Sequence, residues 1–379
     1  MMHIKRLRLT QFRNYTELDL SFSSAINCLV GSNGAGKTNV LDALHYLAFT
    51  RGFRSSQDQQ AVQRGAEFFV NMGSFHWKDA GLEVASNFVK GKGKKILLNG
   101  KAQSKLSEHI GRVPMIVVLP QDAELISGPS ALRRRFLDML IAQYDPAYLQ
   151  SLIAYDRLLA QRNALLKSFG EAGNYDPDYL SIFDEQLLQP GIVIRAAREA
   201  FLDEYHPIFA SYFAEIVAEA ADEVPKIRYR ASIEDNTPEG WRAAYASKAE
   251  KDRVNQYTSI GVHRDELVFS INGASVRNFG SQGQQKTFVI ALKLAQYALL
   301  ERHAHQQPIL LLDDIFDKLD EHRLGQIVQL LNERISGQVF ITDTSYERLF
   351  ETFARLGERE VRYFMVDNGS VNQLETAEQ

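Results

Sequence analysis

The sequence has a single cysteine, Cys28, in 379 residues. One cysteine excludes an internal disulfide and any zinc site built from several cysteines. The sequence also lacks an apolar stretch of about 18 residues, the minimum for a membrane-spanning helix. Its first ten residues alternate charged and apolar side chains, which is unlike a secretory signal. We therefore expect a soluble cytoplasmic protein with no membrane partner.

An excess of positive charge is also absent. The chain carries 43 basic and 47 acidic side chains, a formal net charge of −4. Such a molecule is not drawn to nucleic acid from every side, so any DNA site must be a local basic patch. With 45% hydrophobic residues, the chain can bury a substantial core in two or three globular units. We find no internal repeat and no heptad pattern that would predict a long coiled coil.

A glycine-rich segment follows the apolar run Ile26–Val30, and apolar residues at helical spacing follow the segment. The order strand, loop, helix is the context that identifies a phosphate-binding P-loop. Lys37 would reach the β and γ phosphates, and Thr38 would offer its hydroxyl to Mg²⁺. A chance glycine turn would not explain both residues. The predicted ATP-binding residues are Gly31, Ser32, Asn33, Gly34, Ala35, Gly36, Lys37, Thr38 and Asn39.

A carboxylate is needed beside the Thr38 hydroxyl to hold the metal. The apolar run at 309–312 ends in two candidates, Asp313 and Asp314. We assign Asp313 as the metal ligand of a Walker B strand, although an acid at a strand end can also be a turn residue. Most of the chain lies between Lys37 and Asp313. A compact P-loop enzyme does not need so long an insertion.

The five residues Ser281-Gln282-Gly283-Gln284-Gln285 stand just before a helix predicted over 284–303. A helix N-terminus is a natural anion site. This order of motifs is that of ABC ATPases, in which the Ser-x-Gly-x-Gln loop serves the nucleotide of another subunit. We therefore predict an ATP-dependent homodimer with Ser281, Gly283 and Gln284 among the ATP-binding residues. The segment 315–320 takes the position of the D-loop at the dimer interface.

Two basic segments are candidates for DNA contact. Six lysines and no acid lie between Phe88 and Lys105, around a hairpin predicted at Asn99-Gly100. These lysines could flank a phosphate backbone, or they could simply protect a sheet edge from aggregation. Three consecutive arginines follow on a helix, which spreads them over more than half its circumference. The predicted DNA contacts are Lys92, Lys94, Lys95, Arg133, Arg134 and Arg135, with Arg6 and Arg8 as alternatives.

Six motifs occur together along nearly the whole chain: FRNY, GSNGAGKTN, PQDAELISGPSALRRRFLD, GVHRDEL, FGSQGQQKT and LLLDDIFDKLD. In order and content they resemble the RecF family and, more distantly, the heads of SMC proteins. The resemblance implies an α/β ABC-type ATPase head with a P-loop core (lobe I, residues 1–122 and 304–379). A mainly helical lobe II, residues 123–303, would carry the signature motif, with no long coiled coil.

The resemblance also implies roles for particular residues. Gln121 would be the Q-loop contact to the metal and to catalysis, Asp313 would hold Mg²⁺, and Asp314 would orient the attacking water. Ser281 would meet the γ-phosphate of the partner's ATP. The implied partners are double-stranded DNA, junctions of single and double strands near gaps, and RecO and RecR, with which the family helps to load RecA.

Two positions depart from related patterns. Val262 replaces a proline that is frequent in the family, and we expect little effect. Asp343 stands where transporter-type ABC proteins have a histidine that senses the γ-phosphate, so we assign it no switch role. Alternative classes are a transporter ATPase subunit, a nuclease-coupled ATPase, and a DNA scaffold that binds nucleotide without turnover.

Overall fold

A computed structural model describes residues 2–55, 57–77, 80–217, 222–316, 321–354 and 359–374. The strands are β1 (His3–Phe12), β2 (Tyr15–Ser21), β3 (Ile26–Val30), β4 (Phe68–Trp77), β5 (Ala80–Val89), β6 (Gly93–Leu98), β7 (Lys101–Ala102), β8 (Met115–Val118), β9 (Pro225–Arg230), β10 (Glu266–Ile271), β11 (Ala274–Ser275), β12 (Ile309–Asp313), β13 (Val339–Asp343), β14 (Val361–Asp367) and β15 (Ser370–Gln373). The α-helices are α1 (Lys37–Phe49), α2 (Glu124–Ser127), α3 (Ser130–Tyr144), α4 (Pro146–Ala172), α5 (Pro177–Val217), α6 (Pro238–Asn255), α7 (Val276–Phe279), α8 (Gln282–Ala304), α9 (Glu321–Glu333) and α10 (Tyr346–Ala354).

The chain divides into two compact units. Unit 1 comprises Met1–Asp122, Tyr212–Glu219 and Ile290–Gln379, and unit 2 comprises Ala123–Ser211 and Ala220–Val289. The units differ from lobes I and II mainly in where α8 is divided. The second half of α8 belongs with unit 1 because Lys293 donates to the carbonyl of Val117, and Tyr297 accepts from the N–H of Gly337.

Unit 1 contains two six-stranded sheets. One is antiparallel, in the order β2-β1-β4-β5-β6-β7, and the other has the order β15-β14-β3-β13-β12-β8. In the second sheet all neighbours are parallel except the β14–β15 pair. Every residue of β3, β12 and β13 is buried, which explains why these strands are continuous apolar runs rather than alternating ones.

Helix α1 contacts both sheets, namely β1, β4 and β5 of the antiparallel sheet and β8, β12 and β13 of the parallel one. All of its residues except Thr38 are buried. A helix buried on every face has no polar side to present to water. The helix that follows the P-loop is therefore held rigidly in the core of unit 1.

Four parallel strands end at the same edge of their sheet. Asp343 of β13 pairs with Val30 of β3, and Asp313 of β12 pairs with Thr342. Strand β8 is the other neighbour of β12 and leads into a single 3₁₀ turn, Pro120–Ala123. The P-loop, the two aspartates and the predicted Q-loop are therefore brought to one edge, where ligands bind in open α/β sheets.

The predicted hairpin at Asn99-Gly100 is confirmed. The Asn99-Gly100 hairpin joins β6 and β7 with positive φ at both residues, as a type I′ turn requires. Helix α4 ends at Ala172, and Gly173 follows it in the left-handed conformation that favours glycine. No helix among the described residues is both long and apolar enough to cross a membrane.

Unit 2 combines helices α3 to α6 with the three-stranded sheet β11-β10-β9. Its helices are joined by a buried arginine. Arg162 of α4 donates to Asp184 of α5 at 2.6 Å and to Asp252 of α6 at 2.8 Å, and it also bonds the hydroxyl of Thr258 at 3.0 Å. The side chains of Arg162 and Asp252 are completely buried. Removing one partner of such a pair leaves an uncompensated buried charge.

We expect Arg162→Met to lower the free energy of unfolding by about 3–5 kcal/mol, because Asp252 and Asp184 lose their counter-ion. Urea unfolding of the full chain measures this change. The matched control is Arg242→Met, which breaks an exposed pair with Glu185 and should cost less than about 1 kcal/mol. Equal losses in the two variants would contradict the role given to Arg162.

Candidate functional site

The P-loop curls around the side chain of Lys37. The Lys37 ammonium donates to the carbonyl oxygens of Gly31 at 2.8 Å and Ser32 at 3.1 Å. Gly36 has φ of 125°, and a Cβ there would lie 2.6 Å from the side chains of Asn14 and Tyr15. Only glycine satisfies both the backbone conformation and this close approach. The loop thus has the tight, glycine-dependent form that the sequence predicted.

Thr38 and Asp313 meet at the carboxyl edge of the parallel sheet. The Thr38 hydroxyl donates to Asp313 Oδ1 at 2.9 Å, and the hydroxyl of Thr342 donates to the same oxygen at 2.8 Å. Burial raises the pKa of Asp313, and the hydrogen bonds from Thr342 and Thr38 oppose that rise. Strand β13, which lies between β3 and β12, thus supplies the hydroxyl that positions the carboxylate.

This pair of oxygens fits Mg²⁺. A hydroxyl and a carboxylate are hard donors, and Mg²⁺ is usually held by one or two protein oxygens together with phosphates and water. Within the described ranges no three His, Cys, Asp or Glu side chains are grouped so that they could hold a metal by themselves. Phosphate oxygens from a nucleotide would complete the coordination.

Asp314 follows directly in an unusual backbone conformation. Its φ is 47°, in the left-handed region that few residues other than glycine, Asn and Asp adopt. Its N–H donates to the hydroxyl of Thr342 at 2.9 Å, so one threonine holds both aspartates. Nothing in the sequence pattern around Asp314 indicated this conformation.

Gln121 lies exposed on the turn that follows β8. The turn is fixed by its neighbour Asp122, which accepts the N–H of Leu119 at 2.7 Å and pairs with Lys293 at 2.9 Å. Gln121 is therefore presented at the strand edge that also carries Asp313. The role of Gln121 at a metal stays a prediction.

The FRNY segment supports the P-loop directly, a function that the residues alone did not show. The amide of Asn14 donates to the carbonyl of Ala35 at 3.1 Å, and the Tyr15 hydroxyl donates to the carbonyl of Gly36 at 3.0 Å. Asn14 also accepts from Asn39 at 2.7 Å. The only available signal was the occurrence of FRNY together with a P-loop.

Asp42 of α1 is a second supporting residue that the sequence did not reveal. Its side chain is fully buried and pairs with Arg13 at 2.7 Å. It also accepts the N–H of Phe53 at 2.8 Å, and a Cβ on Gly52 would lie 2.6 Å from its carboxylate. The turn that carries FRNY and the segment after α1 are thus both attached to this helix.

The signature loop lies in unit 2 and closes on itself. The Ser281 hydroxyl accepts the N–H of Gln284 at 3.2 Å, while the side chain of Gln284 accepts the N–H of Ser281 at 2.8 Å. This reciprocal arrangement is a capping box at the start of α8, which also contains Gly283. Gln284 further donates to Glu223 at 2.7 Å. The predicted D-loop end, Lys318-Leu319-Asp320, lies outside the described residues.

The structure divides the lysine candidates by face. Lys94 points inward, with 12% of its side chain exposed, and it pairs with Asp58 at 2.9 Å and donates to the carbonyl of Thr50 at 2.5 Å. The prediction that Lys94 contacts DNA is therefore wrong for this conformation, because its charge is engaged internally. Lys92 and Lys95 are exposed and stay candidates.

The arginine candidates divide in a similar way. Arg133 is buried and bonds Glu266 at 2.8 Å and the carbonyls of Leu125 and Gly128, so its assignment to DNA is corrected to a structural role. Arg134 donates to the carbonyl of Asp265 at 2.7 Å, whereas Arg135 is exposed. The alternatives Arg6 and Arg8 both pair with acids, Asp19 and Glu83 respectively.

The His263-Arg264-Asp265 triplet holds unit 2 together internally. His263 bonds the Tyr155 hydroxyl at 2.9 Å and the carbonyl of Thr258 at 3.1 Å, and burial lowers its pKa to about 4. Asp265 accepts from the hydroxyl of Tyr229 and from the N–H of Ser232. Val262, at the proline position, is buried.

The geometry defines a class of protein. A P-loop strand and a Walker B strand flank a central strand of a parallel sheet, an antiparallel sheet covers the P-loop helix, and a serine-glycine signature begins a later helix. This is the ABC-type ATPase head. An SMC head domain from Pyrococcus furiosus has the same fold, with a TM-score of 0.58 at 15% identity over 99% of this chain and 96% of that chain.

Closer similarities identify the family. Residues 3–372 match the family model for the RecF/RecN/SMC N terminal domain. The DNA replication and repair protein RecF of Cytophaga hutchinsonii is 40% identical over 98% of this chain and 97% of its own length. RecF of Bacteroides fragilis is 38% identical over the full length of both chains. The chain belongs to the RecF family.

A solved structure supports the same assignment. The recombination mediator protein RecF with ATP, of the RecFOR pathway, superposes with a TM-score of 0.88 at 28% identity. The match covers 99% of this chain and 98% of that chain. The fold class predicted from the motifs, an ABC-type ATPase head related to SMC heads, is confirmed.

Proposed function

We propose that this protein is an ATP- and Mg²⁺-dependent ABC-type ATPase that dimerises around ATP and binds DNA during recombination and repair. The observation that carries the proposal is the junction of Thr38, Asp313 and Thr342 directly beside the curled P-loop. It brings two of the three predicted Mg²⁺ ligands, Thr38 and Asp313, within one hydrogen bond of each other. The ATP complex of the related RecF supports the choice of nucleotide.

In the proposed site, the backbone N–H groups of residues 31–36 and the N-terminus of α1 would bind the phosphates. Lys37 would exchange its two carbonyl partners for β- and γ-phosphate oxygens. Mg²⁺ would be held by Thr38 and Asp313 with help from Gln121, and it would neutralise phosphate charge.

Hydrolysis would depend on Asp314. Its carboxylate would orient and polarise the attacking water, at the strand edge that also carries the metal ligand. Many ABC ATPases have glutamate at this position, and aspartate is one methylene shorter. The carboxylate would therefore approach the water less closely, so turnover should be slow and the ATP-bound dimer long-lived. Bound DNA would stimulate this hydrolysis.

Ser281, Gly283 and Gln284 would bind the ATP of a second copy of the chain. The capping box supports this, because it holds the loop at the positive end of α8 with the Ser281 oxygen as acceptor, so the hydroxyl hydrogen could donate to a phosphate. Two ATP molecules would then join two protomers, and hydrolysis would release them.

The DNA contact is assigned to the outer face of the β5–β6–β7 hairpins. Lys92, Lys95, Lys101 and Lys105 are exposed there, and Arg135 is an additional candidate in unit 2. Lysines along an edge strand can form ion pairs with the phosphates of DNA, and such contacts do not depend on the base sequence. The proposed substrates are duplex DNA and junctions beside single-strand gaps, in the cytoplasm, where RecO and RecR would join in loading RecA.

We expect Asp314→Asn to bind ATP and Mg²⁺ and to form the dimer, while hydrolysis falls by roughly 10²–10⁴-fold, as for loss of a positioned acid–base group. Single-turnover hydrolysis and dimer lifetime measure this. In Lys37→Met, by contrast, most of the ATP affinity should be lost. Unimpaired hydrolysis in Asp314→Asn would refute the role of that carboxylate.

Replacing Lys92, Lys95 and Lys101 with glutamine should weaken DNA binding equally for all sequences. The salt dependence of binding should also become less steep, since each phosphate contact releases counter-ions. Lys94→Gln is the matched control from the same strand. It should lower thermal stability, because Asp58 loses its partner, and leave the salt slope unchanged. An unchanged slope in the triple variant would show that the hairpin is only solvated surface.

Ser281→Arg should leave nucleotide binding by the monomer intact and block the ATP-dependent dimer, because a bulky cation would fill the space meant for a phosphate. Gel filtration with and without ATP, at a fixed protein concentration, tests this. Arg277→Ala, one turn earlier on α7, serves as a control that changes a nearby side chain without entering the loop. A dimer that persists in Ser281→Arg would place the signature loop elsewhere.

A further inference from the structure

The carboxylate of Asp343 is fully engaged at the end of β13, where it is 1% exposed. Its Oδ1 accepts the N–H of Ser345 at 2.8 Å, and the guanidinium of Arg348 binds both oxygens, at 2.5 and 3.1 Å. Such a two-point contact is the strong, geometrically specific form of an ion pair. An ionised carboxylate held in this way cannot donate a hydrogen bond, so Asp343 does not act as a histidine would at this position.

The backbone of the same strand end touches the parts of the nucleotide site. The carbonyl of Asp343 accepts the N–H of Gly31, the first residue of the P-loop, at 3.3 Å. The preceding residue, Thr342, bonds the carboxylate of Asp313 and the N–H of Asp314. Residues 342 and 343 therefore hold the start of the P-loop and both aspartates.

We propose that Asp343 and Arg348 form a positioning clasp for the ATPase site, an inference that rests on the proposed function. The clasp fixes the end of β13 against the first turn of α10, where the Ser345 hydroxyl also accepts the N–H of Arg348 at 3.1 Å. Through Thr342 it sets the place of Asp314. That aspartate is in a left-handed conformation, and its N–H donates to the Thr342 hydroxyl.

The clasp acts on the chemistry of the site, and its effect on folding differs between the two partners. Asp343→Asn removes the buried charge, whereas Arg348→Gln leaves that charge without its counter-ion and should also lower stability. A small shift of the strand end moves the Asp314 carboxylate relative to the γ-phosphate, and hydrolysis is sensitive to displacements of that kind. Binding of ATP depends mainly on the P-loop amides and Lys37, which remain present. The expected signature is a loss in turnover with little loss in ATP affinity.

The test uses Asp343→Asn, Arg348→Gln and the double variant in the full chain. Each single variant should slow single-turnover hydrolysis by about tenfold, the low end of the range for residues that orient functional ligands. ATP affinity should stay within about twofold of wild type, since the lost interaction acts on the transition state. The double variant should be no slower than the slower single variant, because both substitutions remove the same interaction.

Multiplied losses in the double variant, or hydrolysis at the wild-type rate in both single variants, would overturn the clasp. The matched control is Arg362→Gln, which breaks a partly exposed pair with Glu360 at the start of β14, a strand that β3 separates from β13. It should leave hydrolysis unchanged, and a loss there equal to that of Arg348→Gln would mean that any charge change nearby has the same effect.

Amide hydrogen exchange in the nucleotide-free protein separates this inference from the proposed function. Asp343→Asn and Arg348→Gln should speed exchange over residues 31–38, because the backbone carbonyl of residue 343, which accepts the N–H of Gly31, is then held less firmly. Unchanged exchange in that segment overturns the clasp even if the wild type proves inactive. A wild-type protein that binds ATP without hydrolysing it would overturn only the proposed ATPase activity. The hydrogen-exchange result would then be the test of the clasp.

Discussion

The burial of helix α1 on every face is the constraint on which the rest of unit 1 depends. A helix enclosed by two sheets cannot leave polar side chains without partners, since a buried unpaired polar group costs about 1–3 kcal/mol. Asp42 is paired with Arg13, and Asn39 bonds Asn14 and Arg54. The FRNY turn thus supplies hydrogen-bond and ion-pair partners for the polar side chains that α1 buries in the core.

The same constraint makes the site rigid before any nucleotide binds. The β1–β2 turn holds the carbonyls of Ala35 and Gly36 from one side, while Asp343 holds the N–H of Gly31 from the other. Between them the loop is already shaped for phosphate. A preformed site loses little conformational entropy on binding, so more of the contact energy is available as affinity.

Much of this could be predicted from the sequence, because motifs such as the P-loop and the run ending in Asp313 are local in the chain. What could not be predicted depends on contacts between distant residues. The inward side chain of Lys94 follows from a cross-strand register, and the burial of Arg133 follows from Glu266, far along the chain. Helix α6 was missed because its few apolar residues, among them Trp241 and Tyr245, are sparse in a charged segment.

The alternation along β6 has a consequence for how this hairpin can change during evolution. Lys94 faces α1 and Lys95 faces away. Two adjacent lysines of the strand therefore have different roles, one in an internal ion pair and one at the surface. Inserting one residue in the Lys90–Lys92 turn and shifting the register would exchange the two faces, which would expose Ile96 and turn Lys94 away from Asp58. Length changes in this turn should therefore occur in steps of two residues, or be compensated by a β-bulge that restores the original register of the strand.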